Sequence, residues 1–256
     1  MTVPALEAKG LAKSFGGLCA ASNVSFSVPD GSLTALIGPN GAGKTTIFNL
    51  VTNLQEPDSG EIRFYGTLLG ERSPAQIAAL GLVRTFQAAR IFPGMTALEN
   101  VLVGAHLRIT SHPWKQMLWT PAARAEEREI TRRADGLLEL ACLSAFRDFA
   151  ATELPMGAQK LLEVIRALMA QPRLVLLDEP AAGLNDAETN ELAALLCAVR
   201  DSGITVMVVE HNMSLVMGVA DLVIVLDAGS VVASGTPREI RHNQRVIEAY
   251  MGRESG

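Results

Sequence analysis

The glycine-rich segment GPNGAGKTT, at residues 38–46, combines residue types that bind nucleotide phosphates. Glycines let the backbone turn its N–H groups inward around phosphate oxygens, and a helix that follows directs its positive end at them. At this spacing Lys44 would reach the β- and γ-phosphates, the Thr45 hydroxyl would hold Mg²⁺, and Thr46 would face the α-phosphate. The predicted phosphate-binding residues are Gly38, Pro39, Asn40, Gly41, Ala42, Gly43, Lys44, Thr45 and Thr46.

Two adjacent carboxylates, Asp178 and Glu179, follow the apolar run LVLL. An aspartate at the end of a strand in a P-loop protein can coordinate Mg²⁺, and the next carboxylate can accept a proton from an attacking water. Taken alone, the pair would be interpreted as an acidic turn. Together with the segment at 38–46, it predicts a site that hydrolyses the bound nucleotide.

His211 follows another apolar run, from which Glu210 separates it. A single histidine is usually structural, but ligands bind at the carboxyl ends of the strands in parallel sheets. This strand should end beside those that carry Lys44 and Asp178, so we expect His211 to contact the γ-phosphate.

Composition excludes several other classes of protein. The net charge is −5 with no long basic run, which argues against a nucleic-acid surface. The mean hydropathy of +0.23 predicts that a partner covers part of the surface. No segment has the length of a membrane span or the pattern of a signal peptide, and three scattered cysteines fit a reducing cytoplasm.

The elements that must position these residues alternate along the chain. The runs SLTALIG at 32–38, LVLLD at 174–178 and ITVMVV at 204–209 are typical of parallel strands buried on both faces. Short alternating runs in residues 1–32 and at 59–66 predict an additional β layer. The sequence LVIVLDAGSVVASG, from residue 222, predicts a hairpin that turns at Asp227–Gly229.

Helix boundaries carry their own signals. Residues from about 97 to 170 are predicted to be almost wholly helical. Ser73, Thr96 and Thr236 each precede a glutamine or glutamate by three residues, which predicts capping boxes. Asn185 is the predicted cap of a further helix, and Gly203 is its predicted stop.

These motifs, in this order, resemble the ABC ATPase family from about residue 5 to residue 250. The resemblance identifies GPNGAGKTT as Walker A, LVLLDE as Walker B with Glu179 as the catalytic glutamate, and His211 as the switch histidine. It also assigns Gln87 as the Q-loop glutamine and Phe15 as the aromatic that stacks on adenine. The implied ligands are ATP and Mg²⁺, with Thr45, Gln87 and Asp178 as metal ligands. From the residues alone, Phe15 would be a core phenylalanine of the β layer.

The fold that the resemblance implies is an α/β P-loop NTPase with a RecA-like parallel sheet core, an N-terminal antiparallel β subdomain and a helical subdomain. The core and β subdomain would comprise residues 1–90 and 170–256, and the helical subdomain residues 91–169. Within the family, the segments DEPAAGLN, EHNMSLVMGVAD and SGTPREIRHNQRVIEAYMG resemble the larger ATPase of branched-chain amino-acid importers.

Two departures from the family pattern stand out. The signature LSGGQ is replaced by LPMGA at 154–158, which retains Leu154 and Gly157 as nucleotide contacts. Pro155 removes a hydroxyl and a backbone N–H, and the Cβ of Met156 would crowd a nucleotide. Asn185 stands where many members have an aspartate, a departure shared with the amino-acid importers.

The resemblance implies a head-to-tail dimer with a second ATPase subunit, which in this subgroup is commonly a different chain. Each nucleotide would lie between the Walker A segment of one subunit and the signature of the other. Gln87 would relay the state of the γ-phosphate to the helical subdomain. Two transmembrane permease subunits and a periplasmic binding protein would complete an importer, with this chain at the cytoplasmic face of the membrane.

Alternatives remain open at this point. The chain could be a soluble ABC ATPase without a transport role, or a regulatory nucleotide-binding subunit with little hydrolysis because of Pro155 and Met156. Trp114, Met117 and Leu118 share one helical face, which we interpret as the core of the helical subdomain rather than a permease contact. Branched-chain amino acids are the expected cargo, with urea, short amides and aromatic acids as alternatives.

Overall fold

The computed structural model describes residues 3–85, 91–107 and 121–251. The chain divides into two compact units. The first unit comprises Met1–Gln87, Arg173–Ala182 and Leu196–Gly256, and the second comprises Ala88–Pro172 and Gly183–Leu195. The predicted division differs in that it assigned residues 88–90, 170–172 and 183–195 to the core and β subdomain.

Buried apolar strands form the central sheet of the first unit. The six strands among the described residues have the order β10-β9-β3-β8-β7-β6. They are β3 (Leu33–Ile37), β6 (Leu82–Arg84), β7 (Leu174–Asp178), β8 (Thr205–Val209), β9 (Leu222–Asp227) and β10 (Ser230–Gly235). All neighbours are parallel except β9 and β10, which form the predicted hairpin. Every residue of β3, β7 and β8 is buried, as expected for strands covered on both faces.

A second, antiparallel sheet of the first unit has the order β2-β1-β4-β5 among the described residues. Its strands are β1 (Leu6–Phe15), β2 (Leu18–Val28), β4 (Ser59–Phe64) and β5 (Thr67–Leu68). One buried hydrophobic cluster includes Leu6 and Val24 from this sheet, Phe48 from the helix after β3, and Leu176 and Ile224 from the central sheet. The β layer therefore shares its core with the sheet that bears the predicted site.

The helices of the described residues follow the sequence signals. They are α1 (Lys44–Val51), α2 (Pro74–Ala79), α3 (Ala97–Val103), α4 (Pro121–Leu140), α5 (Met156–Leu168), α6 (Asp186–Asp201), α7 (Met213–Val219), α8 (Pro237–Arg241) and α9 (Gln244–Met251). The predicted capping boxes at Ser73, Thr96 and Thr236 are all present. In each, the capping side chain accepts a hydrogen bond from the backbone N–H of the third helical residue, whose own side chain accepts one from the backbone N–H of the capping residue. Asn185 likewise accepts from the N–H of Glu188, at 3.0 Å.

The predicted α/β fold with a parallel sheet, an antiparallel β layer and a helical segment is confirmed. Strand β6 was not predicted, because three residues are too few to show a period. Its pairing with β7, from Leu82–Leu174 to Arg84–Leu176, makes it a strand.

Candidate active site

The phosphate-binding segment links β3 to α1 through glycines with positive φ, two of which leave no room for a side chain. Gly38 has φ +153° and Gly43 has φ +100°. A Cβ at Gly38 would lie 2.1 Å from the carbonyl oxygen of Leu226, and one at Gly43 would lie 2.3 Å from that of Ala20. Because both obstacles are backbone atoms, the surrounding strands fix the path of the loop.

Lys44 begins α1 and points back into the loop. Its Nζ donates to the carbonyl oxygens of Gly38 at 2.6 Å and Pro39 at 3.0 Å, and the residue is 7% exposed. Burial lowers the pKa of Lys44, while the negative charges of Glu179 and Asp178 oppose that change. The loop therefore already surrounds a cation where the sequence predicted phosphate contacts.

A cleft of about 550 Å³ opens beside the loop, within the size range of ligand pockets. It is lined by Phe15, Leu18, Cys19, Ala20, Asn40, Gly41, Ala42, Gly43, Lys44, Thr45, Thr46, Glu179 and Ala228. One end is apolar because it is lined by the side chains of Phe15 and Leu18, which are 42% and 71% exposed. The interpretation of Phe15 as a core residue is therefore wrong, and its position in the cleft agrees with the resemblance.

The turn of the β9–β10 hairpin forms part of the cleft wall. Gly229 donates its N–H to the carbonyl oxygen of Ala42 at 3.1 Å, and its own carbonyl accepts from the N–H of Ser22 at 2.8 Å. Ala228, the preceding residue, lines the cleft. This turn therefore connects the phosphate-binding loop to strand β2 of the β layer.

Asp178 ends β7 and is 4% exposed. Its Oδ2 accepts from the guanidinium of Arg84 at 2.7 Å, and Arg84 also donates to Asn49 Oδ1 on α1 at 2.7 Å. Arg84 was not identified from the sequence, since it lies 94 residues from Asp178 and in a strand too short to recognise.

Glu179 and His211 lie close together at the carboxyl ends of their strands. Strand β8 lies between β3 and β7, so His211 follows a strand that ends beside those carrying Lys44 and Asp178. Glu179 Oε2 lies 4.0 Å from His211 Nδ1, with the side chains 22% and 59% exposed. Glu179 lines the cleft and has a left-handed backbone, with φ +48°.

The oxygen donors here suit a hard divalent cation. Thr45 offers a hydroxyl in the cleft, and Asp178 offers a carboxylate at the end of the buried strand β7. Mg²⁺ binds proteins through one or two such groups, with substrate phosphates supplying further oxygens. These two residues therefore fit the predicted metal role.

The signature segment lies in the second unit, at the start of α5. The side chain of Leu154 is buried there, at 5% exposure, while Met156 is 58% exposed. The N–H of Gly157 donates to Glu188 Oε1 at 3.2 Å, and Glu188 Oε2 accepts from the N–H of Asn185 at 3.0 Å. The carboxylate of Glu188, a residue not identified from the sequence, joins the signature to the loop before α6.

Several predicted residues lie outside the described residues. They are Gln87, the proposed relay, and Trp114, Met117 and Leu118, the proposed core face of the helical subdomain. Their assignments stay predictions.

The fold and the cleft define a P-loop nucleotide-binding cassette. Residues 21–182 match the family profile described as ABC transporter, and residues 230–255 match one described as branched-chain amino acid ATP-binding cassette transporter. The chain belongs to the ABC transporter family and is an ATPase of that family. The resemblance drawn from the motifs is confirmed.

Curated relatives match nearly the whole chain. One is the high-affinity branched-chain amino acid transport ATP-binding protein BraF of Pseudomonas aeruginosa, 43% identical over 98% of this chain and 99% of its own. Another is LivG of Escherichia coli, of the same description, 42% identical over the same shares. They support a transport ATPase and lend no support to the alternative of a soluble, non-transport ATPase.

Solved structures agree with this assignment. An ATP-binding cassette of an ABC transporter in its ADP conformation matches with a TM-score of 0.85 and 32% identity, over 98% of this chain and 100% of that one. A nucleotide-free cassette matches with a TM-score of 0.83 and 31% identity, over 96% and 98%. Among the described residues, no helix has the length and apolarity needed to cross a bilayer.

Proposed function

We propose that this chain is the ATP-hydrolysing subunit of an importer for branched-chain amino acids. The observation that carries the proposal is the cleft, in which Lys44, Thr45 and Glu179 meet beside His211. The names of BraF and LivG, which match over almost their full lengths, support the cargo. Urea, short amides and aromatic acids are the alternatives that a transport assay would separate.

ATP would lie with its base at the apolar end of the cleft and its phosphates in the loop. Phe15 would stack on adenine, with Lys13 Nζ 5.7 Å from the centre of the phenylalanine ring. The backbone N–H groups of the loop and the Lys44 ammonium would hold the β- and γ-phosphates, and Thr46 would face the α-phosphate. The carbonyl oxygens that accept from Lys44 would then share it with the phosphates.

Hydrolysis requires a water in line with the bond between the γ-phosphorus and the bridging oxygen. Glu179 would accept a proton from that water, and His211 would contact the γ-phosphate. When bound, Mg²⁺ neutralises charge on the phosphates, and Thr45, Asp178 and Gln87 would hold it. The 4.0 Å between Glu179 Oε2 and His211 Nδ1 leaves the two groups close enough to act on one phosphoryl group.

The same proposal includes partners. A second ATPase subunit would pair head to tail with this chain, and its nucleotide would contact Leu154 and Gly157 of the signature segment. Two permease subunits and, indirectly, a periplasmic binding protein would complete the importer at the cytoplasmic face of the membrane. Exposed apolar side chains in the second unit, including Phe149 at 55% and Met156 at 58%, support a covered surface.

Glu179→Gln tests hydrolysis in the assembled complex. We expect the ATPase rate to fall about 10²- to 10³-fold because the proton acceptor is lost, while ATP binding is retained. The matched control is Glu56→Gln, an exposed glutamate of the first unit, which should leave the rate unchanged. An unchanged rate in Glu179→Gln would favour the regulatory alternative, in which this chain binds ATP without hydrolysing it.

Affinity capture from detergent-solubilised native membranes tests the partners. Two multi-span permeases and a second ATPase should be recovered with this chain, and vesicles containing the complex should accumulate leucine when ATP is present on the side of the ATPases. Capture of soluble partners alone would contradict a transport role. Uptake of urea or an aromatic acid in place of leucine would contradict the cargo only.

A further inference from the structure

Glu210 is a fully buried carboxylate to which the proposed mechanism assigns no role. It lies between the last residue of β8 and His211, with 0% exposure. A buried charge is strongly unfavourable unless hydrogen bonds compensate for lost hydration. Its surroundings must therefore supply donors that are held firmly in place.

Those donors are backbone N–H groups from two different loops. Glu210 Oε1 accepts from the N–H of Ala181 at 2.7 Å. Oε2 accepts from the N–H of His211 at 3.0 Å and from that of Asn212 at 3.2 Å. One oxygen thus holds the loop after Walker B, and the other holds the loop of the switch histidine.

On the Walker B side, the carboxylate stabilises a strained turn. Glu179 has a backbone φ of +48°, a conformation that residues other than glycine rarely adopt. Its N–H donates to the carbonyl oxygen of Val209 at 2.9 Å, and its carbonyl accepts from the N–H of Ala182 at 3.1 Å. The N–H of Ala181, inside this turn, is the group that Glu210 holds.

On the histidine side, the carboxylate fixes the entry to α7. Asn212 caps that helix, since its Oδ1 accepts from the N–H of Leu215 at 3.0 Å. The backbone of His211 is held by Glu210, while its imidazole is 59% exposed. The imidazole therefore extends from a fixed backbone into the site.

We infer that Glu210 is a positioning residue for ATP hydrolysis, which sets the separation between Glu179 and His211. This inference rests on the roles proposed above for those two residues. Only a side chain with two acceptor oxygens, placed between the loops, can hold both at once. Glutamine would direct an NH₂ group at a backbone N–H, and aspartate would be one methylene too short to reach both loops.

Glu210→Gln in the assembled complex is the test, with Glu56→Gln as the matched exposed control. We expect kcat to fall about 10- to 100-fold, as displacement of catalytic groups by an ångström can cause, with the Kd for ATP changed by less than about twofold. Backbone amide exchange at Ala181, His211 and Asn212 should accelerate about tenfold or more in the chain without nucleotide. In a His211→Ala background the same substitution should cost much less, because the histidine through which it acts is gone.

The outcomes separate this inference from the proposed function. If exchange accelerates at the three amides and kcat stays unchanged, Glu210 is structural and the inference is wrong. If Glu179→Gln and His211→Ala leave kcat unchanged, the proposed roles have failed, whatever exchange shows. Should Glu210→Gln not fold, Glu210→Asp replaces it, with an intermediate loss of kcat expected. In the wild-type chain, exchange at the three amides as fast as in an exposed loop would also overturn the inference.

Discussion

The phosphate-binding loop and the signature segment both depend on glycine, but different atoms surround the glycines. Gly38 and Gly43 face backbone carbonyls of neighbouring strands, which would lie 2.1 and 2.3 Å from an added Cβ. A Cβ added at Gly157 would instead lie 2.7 Å from the Cγ of Glu188, a side-chain atom. A backbone obstacle cannot rotate away, so the loop has one shape, whereas the signature segment can adjust to its surroundings.

The phosphate-binding loop and the signature segment also differ in the charge that lies against the backbone. The phosphate-binding loop encloses a cation, Lys44, that is ready for an anionic ligand. In the signature segment, the N–H of Gly157 is already bonded to an anion from its own chain, Glu188. The phosphate-binding loop is thus prepared for phosphate. In the signature segment, the N–H of Gly157 could bind a phosphate only after the carboxylate of Glu188 has moved away.

We expect the largest effect from a substitution that breaks the buried ion pair of Arg84 and Asp178 beside the loop. Arg84→Met should lower the free energy of unfolding by about 3–5 kcal/mol, because it leaves the Asp178 carboxylate buried without its cation. The side chains of that pair are 8% and 4% exposed. The control is Arg63→Met, which breaks the exposed pair with Glu61 and should change little. Urea denaturation of the two variants would contradict this expectation if their losses were equal.

Gly38→Ala tests whether the backbone wall is rigid. We expect a loss of about 3 kcal/mol because the added Cβ overlaps the carbonyl oxygen of Leu226, together with loss of ATP binding. Gly41→Ala is the matched control, since Gly41 also has a positive φ, +80°, but no atom lies within 4 Å of the added Cβ. It should cost about 1 kcal/mol. Thermal denaturation measures the loss of stability, and calorimetric titration measures ATP binding. Equal losses of stability in Gly38→Ala and Gly41→Ala would show that backbone strain, and not the contact with Leu226, causes the destabilisation.

Gly157→Ala tests the adaptable wall. We expect a loss of about 1 kcal/mol, smaller than at Gly38, because Glu188 can rotate aside. In a Glu188→Ala background the obstacle is absent, so the added Cβ should cost nearly nothing, and a double-mutant cycle measures the difference. An equal cost in both backgrounds would mean that the backbone, not Glu188, surrounds this glycine.

The smallest effect concerns the apolar end of the cleft. Asp58 accepts from Lys13 Nζ and from the N–H of Ser14, each at 2.8 Å, next to Phe15. The hydrogen bond from Lys13, and then that from Ser14, lowers the pKa of Asp58 below 3.8. Because the folded pKa is lowered, the carboxylate stabilises the fold above pH 3.8 and loses this contribution as pH falls through the lowered pKa.

Asp58→Asn should therefore lower Tm at pH 7 by on the order of 1 °C, as for an exposed pair. The difference from the wild type should disappear in acid, below the lowered pKa of Asp58. Melting curves recorded across this range measure it. A difference that persists unchanged in acid would mean that the carboxylate charge is not its source.

The features that could be predicted from the sequence are those formed by residues close together along the chain. The capping boxes at Ser73, Thr96 and Thr236 were predicted because both partners lie within one turn. The strand that ends at Asp178 and the strand that precedes His211 were predicted because continuous apolar runs mark buried strands. Phe15 was different, since alternation in β1 does not say which face is covered.

Contacts between distant segments were not predictable. Glu210 bonds Ala181 across 29 residues, and Arg84 bonds Asp178 across 94. Each looks like an ordinary charged residue until the strand order brings the loops together. Glu188 was hidden for a similar reason, since its partner Gly157 is 31 residues away.

The turn of the β9–β10 hairpin has a consequence for engineering the chain. Hairpin tips are usually the places where insertions and fused tags are tolerated. Here Gly229 is bonded to both Ala42 and Ser22, and Ala228 forms part of the cleft wall. A reporter inserted at this tip would therefore break the contacts that hold the wall of the nucleotide cleft in place.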